Sequence, residues 1–120
     1  MNILKQSIEA TINQGERSVF LGFCQYRHGE LKCSIGHLIT DEHYSRELED
    51  CSLELGNKIH DALNKSLGYE VDAKEVSQLK KIQGAHDGAR GSDFLVDFKN
   101  RILINTARGY LPKELRELVR

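Results

Sequence analysis

The chain has 120 residues, 39% of them hydrophobic and 29% charged, with a formal net charge of −1 and three cysteines. That balance fits one globular domain over residues 1–120 with a real core, and it excludes wholesale disorder. The near-neutral charge gives no general attraction to nucleic acid or anionic lipid, and no apolar run approaches the length of a membrane span.

Residues 2–14 place Ile3, Leu4, Ile8 and Ile12 at helical spacing, and Gly15 follows as a stop. They carry Glu9 and lack a long apolar block, so they do not read as a secretory signal. Residues 20–39 then read as a β-hairpin turning at His28-Gly29, with Arg27 opposite Glu30 and Cys24 opposite Cys33. This register gathers Phe20, Gly22, Cys24, Tyr26, Leu31, Cys33 and Ile35 on one apolar face. Gly36 breaks the strand, Thr40 or Asp41 caps a short helix through DEHYSRELE, and Asp50 caps a helix over 51–67. In that helix Leu55, Ile59, Leu63 and Leu67 line one side, His60 sits at the rim and Gly68 is the stop.

A helix over 73–87 turns Val76, Leu79, Ile82 and His86 inward. Ser92 caps another over 93–107, with Phe94, Leu95, Phe98 and Ile102 inward. Gly109, Tyr110 and Pro112 end it, and a last short helix docks through Leu115, Leu118 and Val119. The fold class is α+β: a small antiparallel β-hairpin covered by several α-helices, predominantly helical.

The segments QGERS, C-Q-Y-R, G-E-L-K-C-S-I-G-H-L-I, D-E-H-Y and I-Q-x-x-H-D resemble a family of small tailed-phage and prophage proteins. The likeness covers roughly residues 8–110 and is densest over 24–49. His37 stands where that family often has Cys, and Thr40 where it often has Pro. The family has no established activity. The resemblance therefore implies a phage or mobile-element setting in the cytoplasm of a bacterial host, and no reaction. The odd cysteine count without framework spacing agrees with a reducing compartment.

Two thiols and two imidazoles, Cys24, Cys33, His37 and His86, have the composition of a tetrahedral zinc set. The same cysteines read first as a reduced buried pair and last as a disulfide, with metal between, so the cofactor is either none or zinc. A local alternative, Cys24, His28, Cys33 and His37, leaves His28 at the turn tip. His86-Asp87 suggests a general base beside a Cys nucleophile. Consecutive helical residues point about 100° apart, so Asp87 is not expected to orient His86. His60-Asp61 matches metal-dependent phosphohydrolases in two letters only. Gly84, Gly88 and Gly91 have no leading strand and no following Gly-Lys-Ser/Thr, so they punctuate helices rather than cradle phosphate.

Charge is segregated. Asp41, Glu42, Glu47, Glu49 and Asp50 form an acidic stretch, either a solvated face or a patch that docks in a basic groove of a host protein. Lys99, Arg101, Arg108, Lys113, Arg116 and Arg120 make the C-terminal end basic, the feature a nucleic-acid binder would use. The leading expectation is an accessory protein that binds a host protein as inhibitor or modulator. A small Cys/His or metal-dependent enzyme comes second. A nucleic-acid-binding protein is not favoured, and a membrane partner is not expected.

Overall fold

The computed structural model describes residues 2–20, 23–89 and 93–120; the side chains of Phe20, Phe23 and Asp50 are not described. Helix α1 (Ile3–Gln14) begins where Asn2 accepts the amides of Leu4 and Lys5, at 3.0 and 3.1 Å, and ends at Gly15, whose φ of 75° suits glycine. Ile3, Leu4 and Ile8 are its buried stripe.

Strands β1 (Val19–Phe20) and β2 (Phe23–Cys24) pair with each other, and β3 (Arg27–His28) pairs with β4 (Leu31–Lys32), both antiparallel. The expected single hairpin is therefore two short ones, and its register is corrected. Arg27 faces Lys32, His28 faces Leu31, and Cys24 faces Val19 rather than Cys33. The turn is Gly29-Glu30. Gly29 takes the first central position with φ 61°, so no side chain has to enter the left-handed region, as His28 would have. The Cys33 amide donates to the Tyr26 carbonyl at 3.2 Å, which extends the same register. Gly22, expected on the apolar face, lies outside the described residues.

The DEHYSRELE stretch forms two 3-10 turns, Asp41–His43 and Arg46–Asp50, instead of one helix, after a first turn at Gly36–Leu38. Helix α2 (Lys58–Leu67) starts seven residues later than expected. Asn57, not Asp50, caps it, accepting from the Ile59 and His60 amides; Gly56 before it has φ 83°, which no helix interior allows. Leu55 is accordingly 60% exposed. His60 is buried rather than at the rim: Nδ1 accepts the Gly56 amide at 2.9 Å and Nε2 bonds the Val71 carbonyl at 2.7 Å.

Helix α3 (Ala73–Gly88) opens with a reciprocal capping box between Asp72 and Glu75. Helix α4 (Phe94–Ala107) is capped by Asp93; the expected cap, Ser92, lies outside the described residues. Its end is a Schellman motif: Gly109 has φ 78°, Tyr110 N–H donates to Asn105 O, and Gly109 N–H to Thr106 O. The last segment is a 3-10 turn, Lys113–Leu118, docked through Leu115 with Val119 just beyond. α3 packs against α1 and α4, and Ile8, Ile35, Leu63, Leu79, Ile82, Phe98 and Ile102 form the centre of the core. The architecture is α+β and mostly helical, as expected.

Candidate functional site

A cleft of about 350 Å³ runs between α3 and the segments around residues 24–26 and 49–53, and all three cysteines of the chain line it. Its size suits a small ligand or an inserted side chain. Cys33 is buried and takes the Gly36 amide on its sulfur at 3.3 Å; burial pushes its thiol well above the ordinary range, so it stays protonated. No disulfide joins Cys24, Cys33 or Cys51.

The polar groups of the cleft hold its walls. The Glu49 carboxylate accepts the amides of Tyr26 (2.7 Å) and Arg27 (3.1 Å) and the Tyr44 hydroxyl (2.6 Å). Tyr26 donates its hydroxyl to the Cys51 carbonyl at 2.6 Å. Gln83 accepts the Ile35 amide at 3.0 Å and donates to Asp87 at 2.5 Å, tying α3 to the loop after β4.

His86 is fully buried, as its stripe position requires, and its ring meets Phe94 edge-on at 5.6 Å. Nδ1 lies 2.8 Å from Asp87 Oδ1, so the expectation that Asp87 cannot orient His86 is corrected. The Cα–Cβ vectors diverge, but the short Asp side chain folds back to the ring in the last turn of α3. Nε2 accepts the Ser18 amide at 3.2 Å. The two bonds fix one neutral tautomer, with the proton on Nδ1 facing Asp87 and the Nε2 lone pair facing Ser18.

Among the described residues, the donor atoms of Cys24, His86 and Asp87 lie within 4.8 Å of one another. The expected metal set is thus only half assembled. Cys33 faces Tyr26 because of the register. His37 sits on the Gly36–Leu38 turn beside a different cleft, and Asp87 stands in their place. Binding of a metal by these three groups must displace either the Ser18 amide from Nε2 or the proton from Nδ1. Cys24 already directs its thiol at the Asp87 carbonyl, 4.0 Å away. His28, expected at the turn tip, is instead the last residue of β3, where it is exposed.

The acidic stretch is divided. Asp41 pairs with Arg27 at 2.6 Å, Glu42 lies 3.8 Å from His43, and Glu47 is exposed. Glu49 leaves the patch entirely and serves the backbone; the Asp50 side chain is not described. At the basic end, Arg101 pairs with Asp97 and Arg120 with Glu117, while Lys113 and Arg116 are exposed. No described helix is long and apolar enough to cross a membrane. No family model, no curated protein and no solved structure matches the chain.

Proposed function

We propose that the protein is a phage-type accessory protein that works by binding a host protein, and that the three-cysteine cleft is where it binds. One observation carries this reading. The groups in and beside the cleft that acid–base chemistry would need are already occupied: both His86 nitrogens, the Glu49 carboxylate and the Tyr26 hydroxyl hold backbone or neighbouring side chains. Such a cleft is preorganised to receive a partner group, and among the described residues neither His86 nitrogen is left open to activate Cys24 or Cys51.

Gly84 supports the same reading. It sits mid-helix in α3 on the cleft wall, where glycine costs about 1 kcal/mol against alanine, and a Cβ there would meet nothing within 4 Å. The test uses the immobilised full chain and lysate of a bacterial host. One stoichiometric protein should be retained, and Gly84→Arg, which fills the cleft mouth, should release it. Retention of the same protein by the Gly84→Arg variant, or of none by the wild type, overturns the assignment.

A second reading, a small metal-dependent enzyme, rests on the meeting of Cys24, His86 and Asp87, whose thiolate, imidazole and carboxylate suit zinc. Elemental analysis of protein prepared without a histidine tag tests it. About one zinc per chain, lost in Cys24→Ser, supports it; none, with melting unchanged by a strong chelator, removes it.

A further inference from the structure

On the β3–β4 hairpin, Arg27 and Lys32 are register partners. Side chains directly opposite on antiparallel strands share a face, and two cations there repel each other. Arg27 is partly answered. Nη1 donates to Asp41 at 2.6 Å, Nη2 donates to the Ile39 carbonyl at 2.7 Å, and the guanidinium lies 4.6 Å from the Tyr44 ring centroid. Its Nε is buried with no hydrogen-bond partner among the described residues. No carboxylate among them pairs with Lys32.

His37 adds a second orphan, since its Nε2 is likewise buried without a partner. Arg27, Lys32 and His37 all line one cleft of about 640 Å³, which Thr40, Ser66 and Tyr69 line as well. Thr40 and Ser66 share one hydrogen bond at 3.3 Å, so one of their two hydroxyl protons remains to be donated elsewhere. A buried polar atom without a partner in a native fold calls for a water or an ion. Two opposed cations and a spare hydroxyl proton thus line one space, and the two unfilled nitrogens belong to side chains of that lining. A single water cannot answer the charge, whereas a tetrahedral oxyanion offers several acceptor oxygens and neutralises the facing cations.

We propose that this cleft is a phosphate-binding site, with Arg27 and Lys32 as the charged clamp and His37 as a hydrogen-bonding partner. It is separate from the three-cysteine cleft and does not depend on the binding function assigned there. Asp41 is the internal competitor: it shares Arg27 with the ligand, and its side chain is 89% exposed, free to swing away.

The experiment is an NMR titration of the full chain in chloride buffer with inorganic phosphate and, in parallel, phenyl phosphate. Saturable one-site shifts are expected at Arg27 Nε–H, the His37 ring and the amides of Lys32 and Thr40. Tighter binding of the ester assigns the site to a phosphomonoester, and equal binding assigns it to the free ion. Lys32→Gln should weaken binding about tenfold or more, the loss of one charge-assisted hydrogen bond, and Lys32→Arg should restore it. Asp41→Asn should tighten it. Lys113→Gln, an exposed cation remote in sequence, should leave it unchanged. Shifts that do not saturate, an equal loss in Lys113→Gln and Lys32→Gln, or Arg27 Nε–H and His37 resonances that ignore phosphate would overturn the proposal. Melting curves of each variant confirm that the comparison is between folded proteins.

Discussion

Among the described glycines, replacing Gly36 by alanine should be the most damaging. A Cβ built on Gly36 falls 2.1 Å from the Tyr26 carbonyl oxygen, 3.0 Å from its carbon and 3.3 Å from its Cα. All three are backbone atoms, so no side-chain rotation relieves the overlap, and the two segments must part by more than about 1 Å to reach ordinary contact. Overpacking of this kind costs about 1–3 kcal/mol. The same carbonyl accepts the buried Cys33 amide at 3.2 Å, and parting the segments strains or breaks that bond. An amide left buried without a partner costs about 1–3 kcal/mol more. The sum centres near 4 kcal/mol, roughly a thousandfold in the folding equilibrium. With a urea m-value of about 2 kcal/mol/M the unfolding midpoint should fall by about 2 M. Gly84→Ala is the matched control: nothing lies within 4 Å of its Cβ, and it should raise stability by about 0.5–1 kcal/mol. If Gly36→Ala shifts stability by under about 1 kcal/mol, or both variants shift it alike, the close-approach argument is wrong.

Gly109→Ala should cost about 1 kcal/mol, because the α4 cap holds this residue at φ 78°; an unchanged melting temperature would contradict the Schellman assignment. Glu49→Gln leaves one carbonyl oxygen where a carboxylate now accepts two amides and a hydroxyl, so at least one buried donor loses its partner, at a cost of about 1–3 kcal/mol. Faster hydrogen exchange at the Tyr26 and Arg27 amides would report it; unchanged exchange would return Glu49 to the solvated acidic face. Burial, with smaller effects from Lys32 and His86, lowers the His37 pKa from 6.5 to about 4. The unfolded chain then binds the extra proton first, so this contribution is full above pH 6.5, declines as pH falls and is gone below about 4. Allowing for partial solvent access, wild type should lose about 1–2 kcal/mol more than His37→Gln across that window. Parallel pH profiles for the two proteins would refute the shift.

Helix ends were legible because their chemistry is local. Gly15, Gly68 and Gly109 each act within one turn, and each ends its helix where its residue type predicts, whereas the Asp72-Glu75 box was not anticipated. The hairpin register was not, because alternation of apolar and polar residues tolerates more than one turn position, and only the φ of Gly29 separates them. The late start of α2 was hidden in the same way by an apolar pattern that continues through Leu53 and Leu55 past the true cap at Asn57. The candidate site was legible in part. His86 and Cys24 do approach each other, since the helical stripe of one and the apolar face of the other both have to be buried. The roles of Glu49, Gln83 and Gly36 were not readable, because each acts on backbone that is remote in sequence or exposed to view only by packing.

The β3–β4 ribbon is only two residues wide on each strand, and an exposed ribbon of that kind is a template for pairing with another chain. Gln14 closes one flank. Its carboxamide oxygen takes the Lys32 amide at 2.9 Å and its nitrogen gives to the Lys32 carbonyl at 2.8 Å, so one side chain mimics both bonds of a neighbouring strand. On the opposite strand the Glu49 carboxylate occupies the Arg27 amide in the same manner. A second copy of the chain would therefore have to evict a side chain from each flank before it could add a strand, so an amide and an acid, added to the ribbon's shortness, keep it from growing into an intermolecular sheet.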